Sequence, residues 1–116
     1  MELINSNLSH AVIVGKQLNG ANLSGADLSN FLIFSGEMSN ANLSQANLAD
    51  AVFYDVGLIN ANLKGANLSG VELSRADISE ADLTATANSN SAIFKYAKSS
   101  NTTCPNGSTT GDGYHE

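Results

Sequence analysis

The sequence predicts an all-β solenoid, and three observations carry that prediction. Apolar residues recur every five positions without a break from Leu3 to Leu83, and a small residue stands two positions before most of them. The residues flanking these apolar centres recur in kind every twenty positions. A period of five fits neither a helix, which would smear the centres around its circumference, nor a flat strand, which repeats every two.

The centres, in order, are Leu3, Leu8, Ile13, Leu18, Leu23, Leu28, Ile33, Met38, Leu43, Leu48, Phe53, Leu58, Leu63, Leu68, Leu73, Ile78 and Leu83. At the chain's hydrophobic fraction of 42%, chance would give such a run on the order of once in a million. The small residues are mostly alanine: Ala11, Ala21, Ala26, Ala41, Ala46, Ala51, Ala61, Ala66, Ala76 and Ala81. On an extended segment two residues apart point the same way, so each Ala and Leu point inward together while the residue between them points out. A chain that does this and then bends, every five residues, winds into a coil.

Sorting by twenties gives four columns, one for each side of such a coil. The first side reads Ala21-Asn22-Leu23, Ala41-Asn42-Leu43, Ala61-Asn62-Leu63 and Ala81-Asp82-Leu83. The second reads Asn7-Leu8, Asp27-Leu28, Asn47-Leu48 and Asn67-Leu68. Asn and Asp suit bends because their short side chains bond the local backbone, and stacked Asn can bond from coil to coil. The third side reads Ala11-Val12-Ile13-Val14, Phe31-Leu32-Ile33-Phe34, Ala51-Val52-Phe53-Tyr54 and Val71-Glu72-Leu73-Ser74. The fourth, around Leu18, Met38, Leu58 and Ile78, is irregular and polar.

The tandem A-[ND]-L-x-x motif resembles the pentapeptide-repeat family over residues 3 to 85, extending towards 95. The resemblance implies a right-handed quadrilateral β-helix, here of four to five coils of about twenty residues, with the central Leu and the small residue two before it inside. It also raises an activity, since some members of the family bind topoisomerase through an acidic, DNA-like surface.

After Leu83 the pattern weakens, with Asn88 at an expected centre. Ser91-Ala92-Ile93-Phe94-Lys95 restores it, which places Phe94 outward on the third side; a short capping helix over 91–98 is the alternative, with Ser91 as its cap and Lys95 and Lys98 near its C-terminal end. The expected organisation is therefore a solenoid over 1–95 and a mobile polar tail over 96–116, rich in Ser, Asn, Thr and Gly.

The sequence offers no chemistry for an enzyme. His10 and His115 lack neighbours for a triad or a metal site, no phosphate-binding loop or cysteine pair occurs, and no cofactor or metal is implied. The carboxylates belong to outward positions with no apolar pocket around them. Cys104 is alone, so no disulfide can form within one chain; it reads as an idle tail residue, with a reactive or dimer-linking thiol as the alternative. No apolar run is long enough to span a membrane. No secretory signal is visible, so a cytoplasmic location is expected.

Two functional readings remain. The first is a non-enzymatic structural or protein-interaction module. On the third side Val12, Val14, Leu32, Phe34, Val52, Tyr54 and Phe94 are apolar where the coil should face water, which makes them a candidate contact for a protein partner or a second copy in a homodimer. The bland alternative is that Phe94, Tyr96 or the tail covers this side. The second reading is a DNA-mimicking inhibitor of a topoisomerase or another DNA-binding protein. Fewer than five coils span about 22 Å, over which duplex DNA carries roughly 13 negative charges. Setting Asp112 and Glu116 aside leaves nine acids and five bases, a net of −4, scattered over all sides. The net charge of −6 for the whole chain also argues against direct nucleic-acid binding.

Overall fold

The computed structural model describes residues 1–107. Over these residues the chain winds into a four-sided parallel β-helix, each coil hydrogen-bonded to the next. The one regular sheet has three parallel strands in the order β1-β2-β3: β1 (Val12–Val14), β2 (Leu32–Phe34) and β3 (Val52–Tyr54). Their register is a shift of twenty residues, pairing Ile13 with Ile33 and Ile33 with Phe53. The other sides pair through single parallel bridges with the same shift, such as Asn22 with Asn42, Asn42 with Asn62 and Asn62 with Asp82.

The five-residue period has a simple backbone cause. At most corners the N–H of the next small residue donates to the carbonyl of the centre, as Ala26 does to Leu23 and Ala46 to Leu43 (3.1 Å each). The residue just before that donor carries a positive φ, as at Gln45 (61°) and Gly25 (68°), the conformation a type II turn demands at its third position. Glycine serves a second purpose at Gly25 and Gly65. A side chain built there would run into Asn5 or Gln45 of the preceding coil.

Side chains on the first two sides complete the turns. The Oδ1 of Asn42 accepts from the Ser44 N–H (3.0 Å) and that of Asn62 from the Lys64 N–H (3.0 Å). Asn67 also donates from Nδ2 to Asn47 Oδ1 (3.1 Å), and Asn88 to Asn67 (3.0 Å), so the stacked amides link coils directly.

Inside, the expected files form. Leu23, Leu43, Leu63 and Leu83 are each buried, as are Leu28, Leu48 and Leu68 on the second side. Phe31 and Phe53 meet inside the third side with ring centroids 5.9 Å apart. Leu3, Leu8, Ile13 and Leu18, in the first coil, are only partly buried and pack against this core from one end.

The C-terminal part departs from expectation. No helix forms over 91–98; a single 3-10 turn spans Ser89–Ser91, entered through Asn88 at a φ of 60°. This turn adds one residue to the coil, so the shift to the next rung becomes twenty-one: Glu72 pairs with Ile93, Asp77 with Lys98 and Asp82 with Thr103. Phe94 therefore takes an inward place and is buried, which corrects its expected outward position. Nor does the winding stop at 95. Ala97, Ser99, Thr102 and Cys104 are buried, with the Thr102 hydroxyl donating to the Ile78 carbonyl (2.6 Å). Cys104 occupies the centre above Leu83 rather than a free tail. The expected mobile segment from 108 onward lies outside the described residues.

Candidate functional site

The third side brings together six of the seven residues expected there. Val12, Leu32 and Val52 stack in one column before the inward centres, and Val14, Phe34 and Tyr54 in another after them. Val12 and Val14 are 62% and 63% exposed and Tyr54 38%, while Leu32, Phe34 and Val52 are half-buried by their neighbours. The Phe34 and Tyr54 rings lie 6.3 Å apart at 49°, a tilted contact typical of paired aromatics. The result is one apolar stripe three rungs tall, about 10 Å along the axis at the spacing of stacked strands.

The seventh residue, Phe94, belongs to the core. Its neighbour Ile93 takes the outward place on the fifth rung and is 48% exposed. A signal for this shift was present: Ala92 stands two positions before Phe94 and Ala97 three after, the spacing of the alanines around Leu23, Leu43 and Leu63. Tyr96 is exposed at the following corner, next to Lys95, whose Nζ lies 5.5 Å from its ring centre. Neither Phe94 nor Tyr96 covers the stripe at Val12 and Val14.

Above Tyr54 the side changes character. Glu72 and Ser74 fill the fourth rung, and the Arg75 guanidinium lies 5.8 Å over the Tyr54 ring. An open groove here is lined by Tyr54, Glu72, Ser74, Arg75, Lys95 and Tyr96, and a second beside it by Asp55, Arg75, Tyr96 and Lys98.

Elsewhere the titratable groups behave as parts of turns. The Ser29 hydroxyl and N–H both donate to Asp27 (2.7 and 3.1 Å) and hold its carboxyl below the usual range, with a smaller push from His10. Thr84 lowers the Asp82 carboxyl in the same way. Neither sits in a pocket suited to acid–base work. Among the described residues no cluster of His, Cys, Asp and Glu could hold a metal ion, and no helix is long and apolar enough to cross a membrane.

A four-sided β-helix of tandem five-residue units, with an outer side of distinct chemistry and a buried apolar interior, defines a repeat-protein module. The model for pentapeptide repeats matches eight copies over residues 2–30, 37–70 and 53–86, more than half of the chain. The chain belongs to the pentapeptide repeat family, whose fold is the right-handed quadrilateral β-helix. Among solved structures it is similar to Rfr23, a pentapeptide repeat protein from the cyanobacterium Cyanothece 51142 (25% identity over 87% of this chain and 89% of that one, TM-score 0.61). It is also similar to a pentapeptide repeat protein of the Arabidopsis thaliana thylakoid lumen (27% identity over 76% of this chain and 64% of that one, TM-score 0.56). No curated protein matches it.

Proposed function

We propose that this protein is a non-enzymatic interaction module that meets a partner protein through the third side of its solenoid. The observation that carries the reading is the contiguous stripe of Val12, Val14, Leu32, Phe34, Val52 and Tyr54. These side chains close no turns, and a contiguous apolar patch of a few hundred Å2, about the largest a monomer exposes, is often functional.

Size sets the kind of contact. Three rungs offer a few hundred Å2, below the roughly 600–800 Å2 that each partner buries in a stable complex. The contact is therefore a reversible one, widened by the polar surroundings of the stripe. The proposal keeps the cytoplasm as the place where the partner is met. DNA imitation finds no support in the outward acids: Asp27, Glu37, Glu72 and Asp82 lie on four different sides and make no continuous track.

Site-specific photo-crosslinking tests the proposal. A benzophenone side chain in place of Phe34 should crosslink to protein in cell extract, or to a second copy, and the same group in place of Asn42 should not. Equal crosslinking from both positions, or none from position 34, would contradict it.

A further inference from the structure

We infer that the segment docking on the third side is acidic as well as apolar, with its carboxylates seated beside Arg75 and Lys95. This rests on the reading of the stripe as a protein contact and adds the partner's charge.

The outward residues after the centres run Val14, Phe34, Tyr54, Ser74 and Lys95, and the corner beside them brings Arg75 and Tyr96. The column is thus apolar for three rungs, neutral at the buried Ser74 with Arg75 on the corner beside it, and cationic at Lys95 on the fifth rung. The chain has only five Lys and Arg residues, and three of them, Arg75, Lys95 and Lys98, line the two adjoining grooves. Among the described residues no ion pair engages any of the three; Arg75 and Lys95 rest only against tyrosine rings. The carboxylates nearby do not replace a partner. Glu72 stands in the other column, between Val52 and Ile93. Asp77 accepts from the Ser79 N–H (3.0 Å), and Asp55, on the same corner as Arg75 one coil below, lines the second groove with it but forms no ion pair with it.

Two other occupants fit less well. A second copy related by a two-fold axis through β2 would set the first rung on the third and leave Arg75 and Lys95 beyond the contact, because residues 11–16 contain no acid. A nucleic acid needs a basic track, whereas this cluster spans two coils, about 5 Å apart, on a chain of net charge −6. A short polypeptide that is apolar at one end and rich in Asp or Glu at the other meets both halves of the column.

The test uses two fluorescein-labelled twelve-residue peptides with the same leucines, one carrying glutamates and the other lysines. In fluorescence anisotropy at low salt the wild-type chain should bind the glutamate peptide about tenfold more tightly, against the pull of its own net charge. Arg75→Gln should erase that preference, and Arg75→Glu combined with Lys95→Glu should reverse it. Lys64→Glu, on another side, should leave it in place. Phe34→Ser should weaken both peptides. No binding of either peptide, a preference for lysine, or a preference that Arg75→Gln does not move would overturn the inference. If Phe34→Ser weakens both peptides but no charge preference exists, the acidic partner is wrong and the apolar contact stands. If Phe34→Ser changes neither, the contact reading itself fails.

Discussion

The first and third sides of the solenoid carry the same inward pattern and opposite outward ones. On the first side each outward Asn or Asp is tied into the fold: Asn22, Asn42, Asn62 and Asp82 all accept from the backbone N–H two residues on. On the third side Val12, Leu32 and Val52 hold the same places and can accept nothing. Their corners, at Gly15, Ser35 and Asp55, are bends rather than hydrogen-bonded turns, and three-residue strands form instead. Where the outward triplet stops being apolar, at Val71-Glu72-Leu73-Ser74, the turn returns, with the Ala76 N–H donating to the Leu73 carbonyl (3.1 Å). The difference separates two uses of the surface. Polar outward residues help to make the coil, and the apolar ones are left over for something else.

The inward files should be the most sensitive part of both sides. Leu63→Asp on the first and Phe53→Asp on the third would each bury an unpartnered carboxylate, costing on the order of 4 kcal/mol or more. Urea unfolding should show both variants losing most of their stability. If one of them melts like wild type, the two sides do not share an interior. Asn62→Asp, outward beside Leu63, keeps its acceptor for the Lys64 N–H and should shift stability by no more than about 0.5 kcal/mol.

The comparison extends upward through the inserted residue. With Phe94 inside and Ile93 outside, Phe94→Ala should cost about 3 kcal/mol and Ile93→Ala well under half of that. The reverse order in thermal melts would restore the uninterrupted five-residue count and contradict the twenty-one-residue coil.

The smallest effect is electrostatic. Asp27 is held below the usual carboxylate range by Ser29, so its contribution is present above the unfolded-state value, near pH 4, and is lost as pH falls through the lower folded value. Wild type should therefore lose slightly more stability than Asp27→Asn between pH 5 and 2, since the amide keeps the acceptor without titrating. Parallel acid titrations followed by circular dichroism check this; identical curves would remove Ser29 as the cause.

Most of the architecture was legible because the repeat states it redundantly. Leu23, Leu43, Leu63 and Leu83 lie inside as the period of five requires, and the three apolar triplets became the three strands. What escaped was the register after Leu83. Ile93 and Phe94 are adjacent apolar residues, so both frames offer a plausible centre, and the count of fives favours the wrong one. One 3-10 turn at Ser89–Ser91 decides it. Ser99 and Cys104 then sit at inward centres that their polarity disguised, which is why a tail was expected where the coil continues. The candidate contact was legible as a column of apolar residues, but the cations above it were not. Arg75, Lys95 and Lys98 are spread over more than twenty residues and converge only when the coils stack.

The most direct measurement is a pair of double variants read two ways. Asn42→Ala with Asn62→Ala removes two turn-closing acceptors from the first side, and Leu32→Ser with Phe34→Ser removes the centre of the stripe from the third. Each is measured for thermal stability and for retention of the proteins that wild type captures from extract. The asparagine pair should lose about 2 kcal/mol, roughly 1 kcal/mol for each bond, and keep its partners; the apolar pair should lose its partners while losing less stability. An apolar pair that unfolds like the asparagine pair, or that keeps every captured protein, would contradict the assignment of the third side to binding.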